Sequence, residues 1–364
     1  MKEYNWRKER EKFRPDFQQE KQLQAEGISS EPVKKSSSKK GLIAAMILLA
    51  AVIAGGIFIF KDSTAQLADV AEEYKSAVGL VTLTIELKNG KKMTEAIGTA
   101  WAFSENRFAT NAHVANDLRG TLQKAIVIFG KAFLDEEAKK RGCGSSEELL
   151  KKLTPEEAEA LTEQCKKRFI EMIENVRADI IINGTKRKTY GVTHVQIHKD
   201  YGAVNTKVDP DIAVLTIDGK HDNYFELADK ETLHNLKSGM SIAFLGFPME
   251  NLQENNVNID NPVASMQSGI IVAVSDFDMK DAGGDGNFLL RHNLPATGGA
   301  SGSPIFNKDG EVVALLFSGN VHVKFQNGEL VERTANAAQI NFGVRVDMME
   351  GMGKKVPFDE FIKL

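Results

Sequence analysis

The chain has 364 residues, 42% apolar and 26% charged, and 46 basic against 50 acidic side chains leave a net charge of −4. This is globular composition, which excludes a disordered or collagen-like chain, and its balance lacks the basic excess of a nucleic-acid binder. Its 2 cysteines are too few for a disulfide scaffold or a four-ligand structural zinc site, and length alone allows two or three domains.

Taken in chain order, residues 1–40 carry 11 Lys/Arg and 7 Asp/Glu, include Ser36-Ser37-Ser38, and show no sustained apolar stripe. They read as a tail. Residues 41–60, GLIAAMILLAAVIAGGIFIF, are uncharged throughout. At 1.5 Å per residue, a helix of that length spans about 30 Å, the thickness of a bilayer's hydrocarbon layer. Lys34, Lys35, Lys39 and Lys40 precede the run, and only Lys61 directly follows it. The positive-inside rule therefore predicts a single-pass anchor in the cell inner membrane, with the N-terminus cytoplasmic and the rest periplasmic or extracellular. A cleaved signal peptide has a shorter leader and a shorter apolar run than this.

Residues 61–77 read as a linker, with a short helix or linker over 65–77. Strand-like runs follow at 78–87, 93–104, 179–182, 188–197, 212–217, 241–245, 269–274, 312–317 and 340–346, and Asn89-Gly90 marks a hairpin turn. Short runs punctuated by Gly, Asn and Asp predict an all-β sandwich or barrel rather than βαβ units. Residues 115–177 break the pattern with Glu, Lys, Ala and Leu. There Thr154-Pro155-Glu156-Glu157 forms a helix start, and Leu161, Cys165, Phe169 and Ile173 recur every four residues on one face. These features predict a helical insertion, a possible surface for an oligomer or partner. Cys143 and Cys165 both fall in it, and an exported compartment would let them pair as a disulfide.

The chemistry concentrates near the end of the chain, in Thr297-Gly298-Gly299-Ala300-Ser301-Gly302-Ser303-Pro304. A serine between glycines on a tight turn presents its hydroxyl unobstructed and directs backbone N–H groups to one point. Acyl transfer needs both a nucleophile and donors for the developing oxyanion. The candidate base is His113 in Thr110-Asn111-Ala112-His113-Val114, and the candidate orienter is Asp211, ahead of the apolar run Ile212-Ala213-Val214-Leu215. The remaining histidines have no metal-binding spacing. Asp281-Ala282-Gly283-Gly284-Asp285-Gly286-Asn287 lacks the terminal Glu of a calcium loop, and the sequon Asn183-Gly184-Thr185 reads as a hairpin turn.

The blocks TNAHV, DIAVL and GGASGSP, in that order, resemble the signatures of chymotrypsin-fold serine peptidases of bacterial type. The first two are similar to HtrA-type proteases and TGGASGSPIFNKDGEVV to glutamyl-endopeptidase-like enzymes. HVQIHKDYG, LGFP and SGIIVAV extend the likeness across about 78–348. The resemblance implies a chymotrypsin-like double β-barrel carrying the helical insertion, with Ser301 as nucleophile, His113 as base and Asp211 orienting it; Asp209 is the nearest rival to Asp211. The N–H groups of Gly299 and Ser301 would form the oxyanion hole, and Ser303 fills a slot that is often Gly. Thr297 and the stretch Ser318, Gly319 and Asn320 would line the substrate pocket, where no acid is present to select Arg or Lys. A small or apolar preference is the default.

The expected organisation is a cytoplasmic tail (1–40), a transmembrane helix (41–60), a linker (61–77), a protease domain (78–350) and a C-terminal tail (351–364) too short for a PDZ module. The expected function is a membrane-anchored serine endopeptidase acting on extracytoplasmic proteins or peptides, with no cofactor, metal or nucleic acid. The alternative is a catalytically inactive, protease-like binding or scaffolding module.

Overall fold

A computed structural model describes residues 63–184, 187–203, 208–248, 258–319, 321–326, 329–335 and 340–363, with the side chains of 318–339 outside the description. The span expected at 41–60 and the tail before it lie outside the described residues. Among the described residues, no helix is long and apolar enough to cross a membrane.

Helix α1 (Ser63–Glu73) leads through a 3-10 turn (Lys75–Ala77) into β1 (Val78–Leu87), which occupies the same residues as the predicted strand. Nine of its ten residues are buried. Val81, Leu83, Ile85 and Leu87 alternate into one core, while Val78 and Leu80 reach a second. A strand so nearly apolar needs cover on both faces, and that is why it sits between two hydrophobic clusters.

The chain continues through β2 (Lys92–Ser104), β3 (Arg107–Thr110), α2 (Ala112–Lys140), α3 (Ser146–Lys151), α4 (Pro155–Met172), β4 (Ile173–Ile182), β5 (Thr189–Ile197) and β6 (Ala213–Ile217). The order β1-β2-β3-β6-β5-β4, with β4 pairing back to β1, closes a six-stranded antiparallel barrel. After β7 (Glu226–Leu227) and α5 (Lys230–His234) come β8 (Ser241–Gly246), β9 (Ser265–Ser275), β10 (Leu289–His292), β11 (Pro304–Phe306), β12 (Glu311–Gly319), the ribbon β13 (Val321–Gln326) and β14 (Glu329–Ala335), and β15 (Asn341–Arg345). The order β8-β9-β10-β15-β12-β11, closed by β11 pairing to β8, makes a second six-stranded barrel. Strand β16 (Val356–Pro357) adds to β5, and α6 (Phe358–Phe361) packs into the first barrel's core. The architecture is thus a chymotrypsin-like double barrel with helices. An aromatic seam of Tyr74, Trp101, Phe225 and Phe306 joins the halves; Tyr74 and Phe225 stack at 4.5 Å, and Trp101 meets Phe225 edge-on.

The helical stretch expected at 115–177 runs from 112 to 172. Ile173–Arg177 are already extended, because the pairings Leu87↔Ile173 and Thr84↔Arg177 lengthen the β1–β4 ladder. The start of α4 is as predicted. The Thr154 side chain accepts from Glu157 N–H, Glu157 bonds back to Thr154 N–H at 2.9 Å, and Pro155 takes the first helical position.

The expected Cys143–Cys165 disulfide is corrected to two free, buried thiols. Each cysteine fills an apolar slot in a small cluster with Leu134, Ala138, Leu149 and Leu161, and the Cys143 sulfur accepts from Lys152 Nζ at 3.4 Å. Asn183, read as part of a sequon, is buried: its amide donates to the Lys75 carbonyl at 2.9 Å and accepts from Ala264 N–H at 3.1 Å. Thr185 lies outside the described residues.

Candidate active site

Strand β3 delivers the chain to Asn111, which stands at the N-cap of α2 without a capping side-chain bond, so His113 falls in the first helical turn. Backbone N–H groups there have no partner within the helix. Asp211 supplies one: its Oδ1 accepts from His113 N–H at 2.9 Å, while its Oδ2 meets His113 Nδ1 at 2.5 Å. The pairing Thr110↔Ala213 between β3 and β6 brings the two segments side by side, and Asn111 Nδ2 donates to the Asp211 carbonyl at 2.8 Å. The carboxylate therefore caps the helix and fixes the imidazole at once, at the helix end where an anion is favoured. With Nδ1 donating to Asp211, Nε2 is left to accept.

Burial alone would lower the His113 pKa. The hydrogen bond and charge of Asp211, aided by Asp117, outweigh it and hold the pKa above the ordinary histidine value. Asp209, the rival orienter, accepts instead from Gly202 N–H at 2.7 Å, in the turn after β5. Tyr201 is a neighbour that the sequence reading missed. Burial and the nearby carboxylates of Asp211, Asp209 and Asp117 push its phenol up to about 12, so it remains protonated across the working pH range.

Ser301 lies on a loop of the second barrel docked onto the first. Gly299 (φ +84°) and Gly302 (φ +87°) adopt the left-handed conformation that favours glycine. A Cβ on Gly302 would stand 2.1 Å from the Thr99 carbonyl oxygen and 2.5 Å from Thr110 Oγ1. Thr99, buried in β2, is the hub of this junction. Its N–H donates to the Ser301 carbonyl at 3.0 Å, its hydroxyl donates to the Gly299 carbonyl at 2.9 Å and accepts from Phe247 N–H at 3.1 Å, and its own carbonyl accepts from Thr110 Oγ1 at 2.7 Å. On the other side, Gly302 N–H donates to Leu316 and Leu316 N–H to Ser303. Gly98 sits between the His113 and Ser301 segments, since a Cβ there would touch Val114 and come within 3.3 Å of the Ser301 carbonyl.

No described residue accepts from the N–H of Gly299 or Ser301. The Ser301 hydroxyl makes no hydrogen bond to His113 in this structure; such bonds are often long in unliganded sites and close around substrate. Ser303 is buried with its hydroxyl against Gly246, where a Cβ would lie only 1.9 Å from Ser303 Oγ. The Gly of Leu245-Gly246-Phe247-Pro248 thus makes room for a serine in the slot that is often Gly.

Of the expected pocket residues, Thr297 is half-buried with its hydroxyl unpaired, and Ser318 and Gly319 lie on β12 opposite Phe342 and Asn341; Asn320 is outside the described residues. Among the described residues, no three His, Cys, Asp or Glu side chains cluster as a metal site.

The sequence profile described as "Trypsin-like peptidase domain" matches residues 98–315, more than half the chain. Among solved structures, the chain is similar to the HtrA-type protease AlgW, solved with a decapeptide, at 12% identity and a TM-score of 0.42, covering 78% of this chain and 65% of AlgW. It is likewise similar to Deg5, at 12% identity and a TM-score of 0.41, covering 80% of this chain and 93% of Deg5. No curated protein sequence matches it.

Proposed function

The chain belongs to the trypsin-like peptidase domain family, and from that membership we propose that it is a serine endopeptidase, anchored in the membrane and acting on extracytoplasmic proteins. The observation that carries the proposal is the double grip of Asp211 on His113, on the barrel whose Thr99 also holds the Ser301 loop. Ser301 Oγ attacks the scissile carbonyl carbon as His113 Nε2 removes its proton, and the oxyanion is received by the N–H groups of Gly299 and Ser301. His113⁺, stabilised by Asp211, then protonates the leaving amine. Water, deprotonated by the same nitrogen, hydrolyses the acyl-enzyme and returns Ser301 to its starting form.

The anchor is the uncharged run 41–60, with 1–40 cytoplasmic, 61–77 as tether, 78–350 as protease domain and 351–364 as a tail. The second reading, an inactive scaffold, draws its support from the missing Ser301–His113 hydrogen bond. A fluorophosphonate probe added to membranes holding the full chain separates the two. We expect covalent labelling that stays with the membrane pellet through an alkaline wash and vanishes in Ser301→Ala, together with a fall in peptide turnover of about 10⁶-fold. A folded wild type that takes no label would favour the scaffold.

A further inference from the structure

Helix α4 packs with one face and leaves another open. Its buried side chains are Leu161, Cys165 and Phe169. Helix α2 closes on that side, with Phe129 stacked on Phe169 at 4.5 Å and Gly130 so near that a Cβ there would stand 3.0 Å from Lys166 Cγ. On the open side, Ala160, Glu163, Lys167 and Ile170 follow one another by three, four and three residues, so they form a single stripe along the helix. The stripe borders a groove of about 700 Å³ whose other wall is Gln123, Ile126 and Val127 of α2. Val127, Ile128 and Ile170 are three of the eight large apolar side chains exposed among the described residues, so such exposure concentrates on the helical insertion. Clustered apolar surface of this kind marks an interaction site.

The residues of the stripe say what fits it. They read small, acidic, basic, large, with the same spacing from either end. A second copy turned antiparallel, about a two-fold axis at the level of Cys165, sets Ala160 against Ile170 and Glu163 against Lys167, and the symmetry makes each contact twice. Large against small is the arrangement that lets facing helices interdigitate. A parallel pairing in register would instead oppose Glu163 to Glu163 and Lys167 to Lys167. The charges are free to meet. The Lys167 ammonium has no hydrogen bond or ion pair among the described residues, and exposed Glu163 holds only Lys166, at 2.6 Å through Oε1.

We propose that the open face of α4 and the α2–α4 groove form a homodimer interface, in which α4 of one chain packs antiparallel on α4 of a second copy. Ile170 of each copy then lies over Ala160 of the other, and two Glu163–Lys167 pairs flank the axis. The surface is distinct from the catalytic groups: Val127 is fourteen residues along α2 from His113, about 21 Å at 1.5 Å per residue. The proposal therefore stands apart from the peptidase reading.

The test measures the mass of the full chain in detergent by sedimentation across a dilution series, with the detergent density-matched. We expect a dimer of the 40.0 kDa chain. Ile170→Asp should weaken it by at least about 100-fold. Glu163→Lys and Lys167→Glu should each weaken it by about 10-fold, because one substitution creates two like-charge contacts. The double variant should return to within about two-fold of the wild type, and the two single variants, once mixed, should pair with each other in preference to themselves. Circular dichroism checks that each variant folds, and the exposed charge variants serve should Ile170→Asp misfold. A monomeric wild type overturns the proposal, whatever other partner the groove then takes. So does an assembly whose mass the charge variants leave unchanged, which would belong to another face. Single losses without rescue in the double variant overturn the antiparallel register.

Discussion

The two ends of α2 do different work. At its base, Ala112 is fully buried, Val114, Ala115 and Leu118 are at most 1% exposed in the first barrel's core, and Asp211 grips the first turn. Towards the tip, Val127 and Ile128 are 56% and 65% exposed, and the helix packs with α3 and α4 around a separate small core holding both thiols. One continuous helix thus carries a residue that must be placed to a fraction of an ångström and a surface with no such duty. The difference lies in what each end is tied to: the base to a closed barrel, the tip to its own hairpin.

The hardest blow to the base is Asp211→Asn. Peptide turnover should fall by about 10⁴-fold. The acid limb of the kcat/KM profile should also move. In the wild type it lies above the ordinary histidine value, because Asp211 outweighs burial; without the carboxylate, burial prevails and the midpoint shifts to lower pH. A limb that stays put would show that another group orients His113. The same raised pKa acts on stability with the opposite sign. The folded state holds the His113 proton more tightly than the unfolded chain, so this contribution is complete below the unfolded pKa and is lost as pH rises through the folded one, while activity appears.

A smaller effect is expected where the barrels meet. Gly302→Ala combines a positive φ with the clash against Thr99 and should cost about 3 kcal/mol in denaturant unfolding. An unchanged midpoint would mean that the junction relaxes. Smallest of all is the tip: Cys143→Ala with Cys165→Ala should leave kcat/KM within about two-fold, and thiol titration of the unfolded, unreduced wild type should count two free thiols. A large loss of activity in that double variant would erase the distinction between the two ends.

Much of this was legible before the fold. The strand at 78–87 is rich in β-branched and apolar residues, broken by only three polar side chains, Thr82, Thr84 and Glu86, and the α4 start is written in four adjacent residues. His113 and Asp211 stood out by residue type and neighbours, and the structure brings them into contact. Strands β3, β10 and β11, of 4, 4 and 3 residues, are too short to show a period and exist because neighbouring strands pair with them. Thr99 was invisible as a hub, since its partner Gly299 lies 200 residues away and nothing local marks a threonine that will bond across two barrels. The thiols were misread because spacing in sequence does not fix whether two sulfurs meet or simply fill space.

The sequence by itself determined the charge-free run, the β-rich frame with its helical interruption, and the residue types able to do acyl transfer. All of these are local, set by composition and nearest-neighbour pattern. Only the tertiary structure decided which aspartate meets the histidine, that its carboxylate also caps the helix, and that Thr99 holds the Ser301 loop. Those are contacts between residues roughly 100 to 200 positions apart, and strand register brings them together.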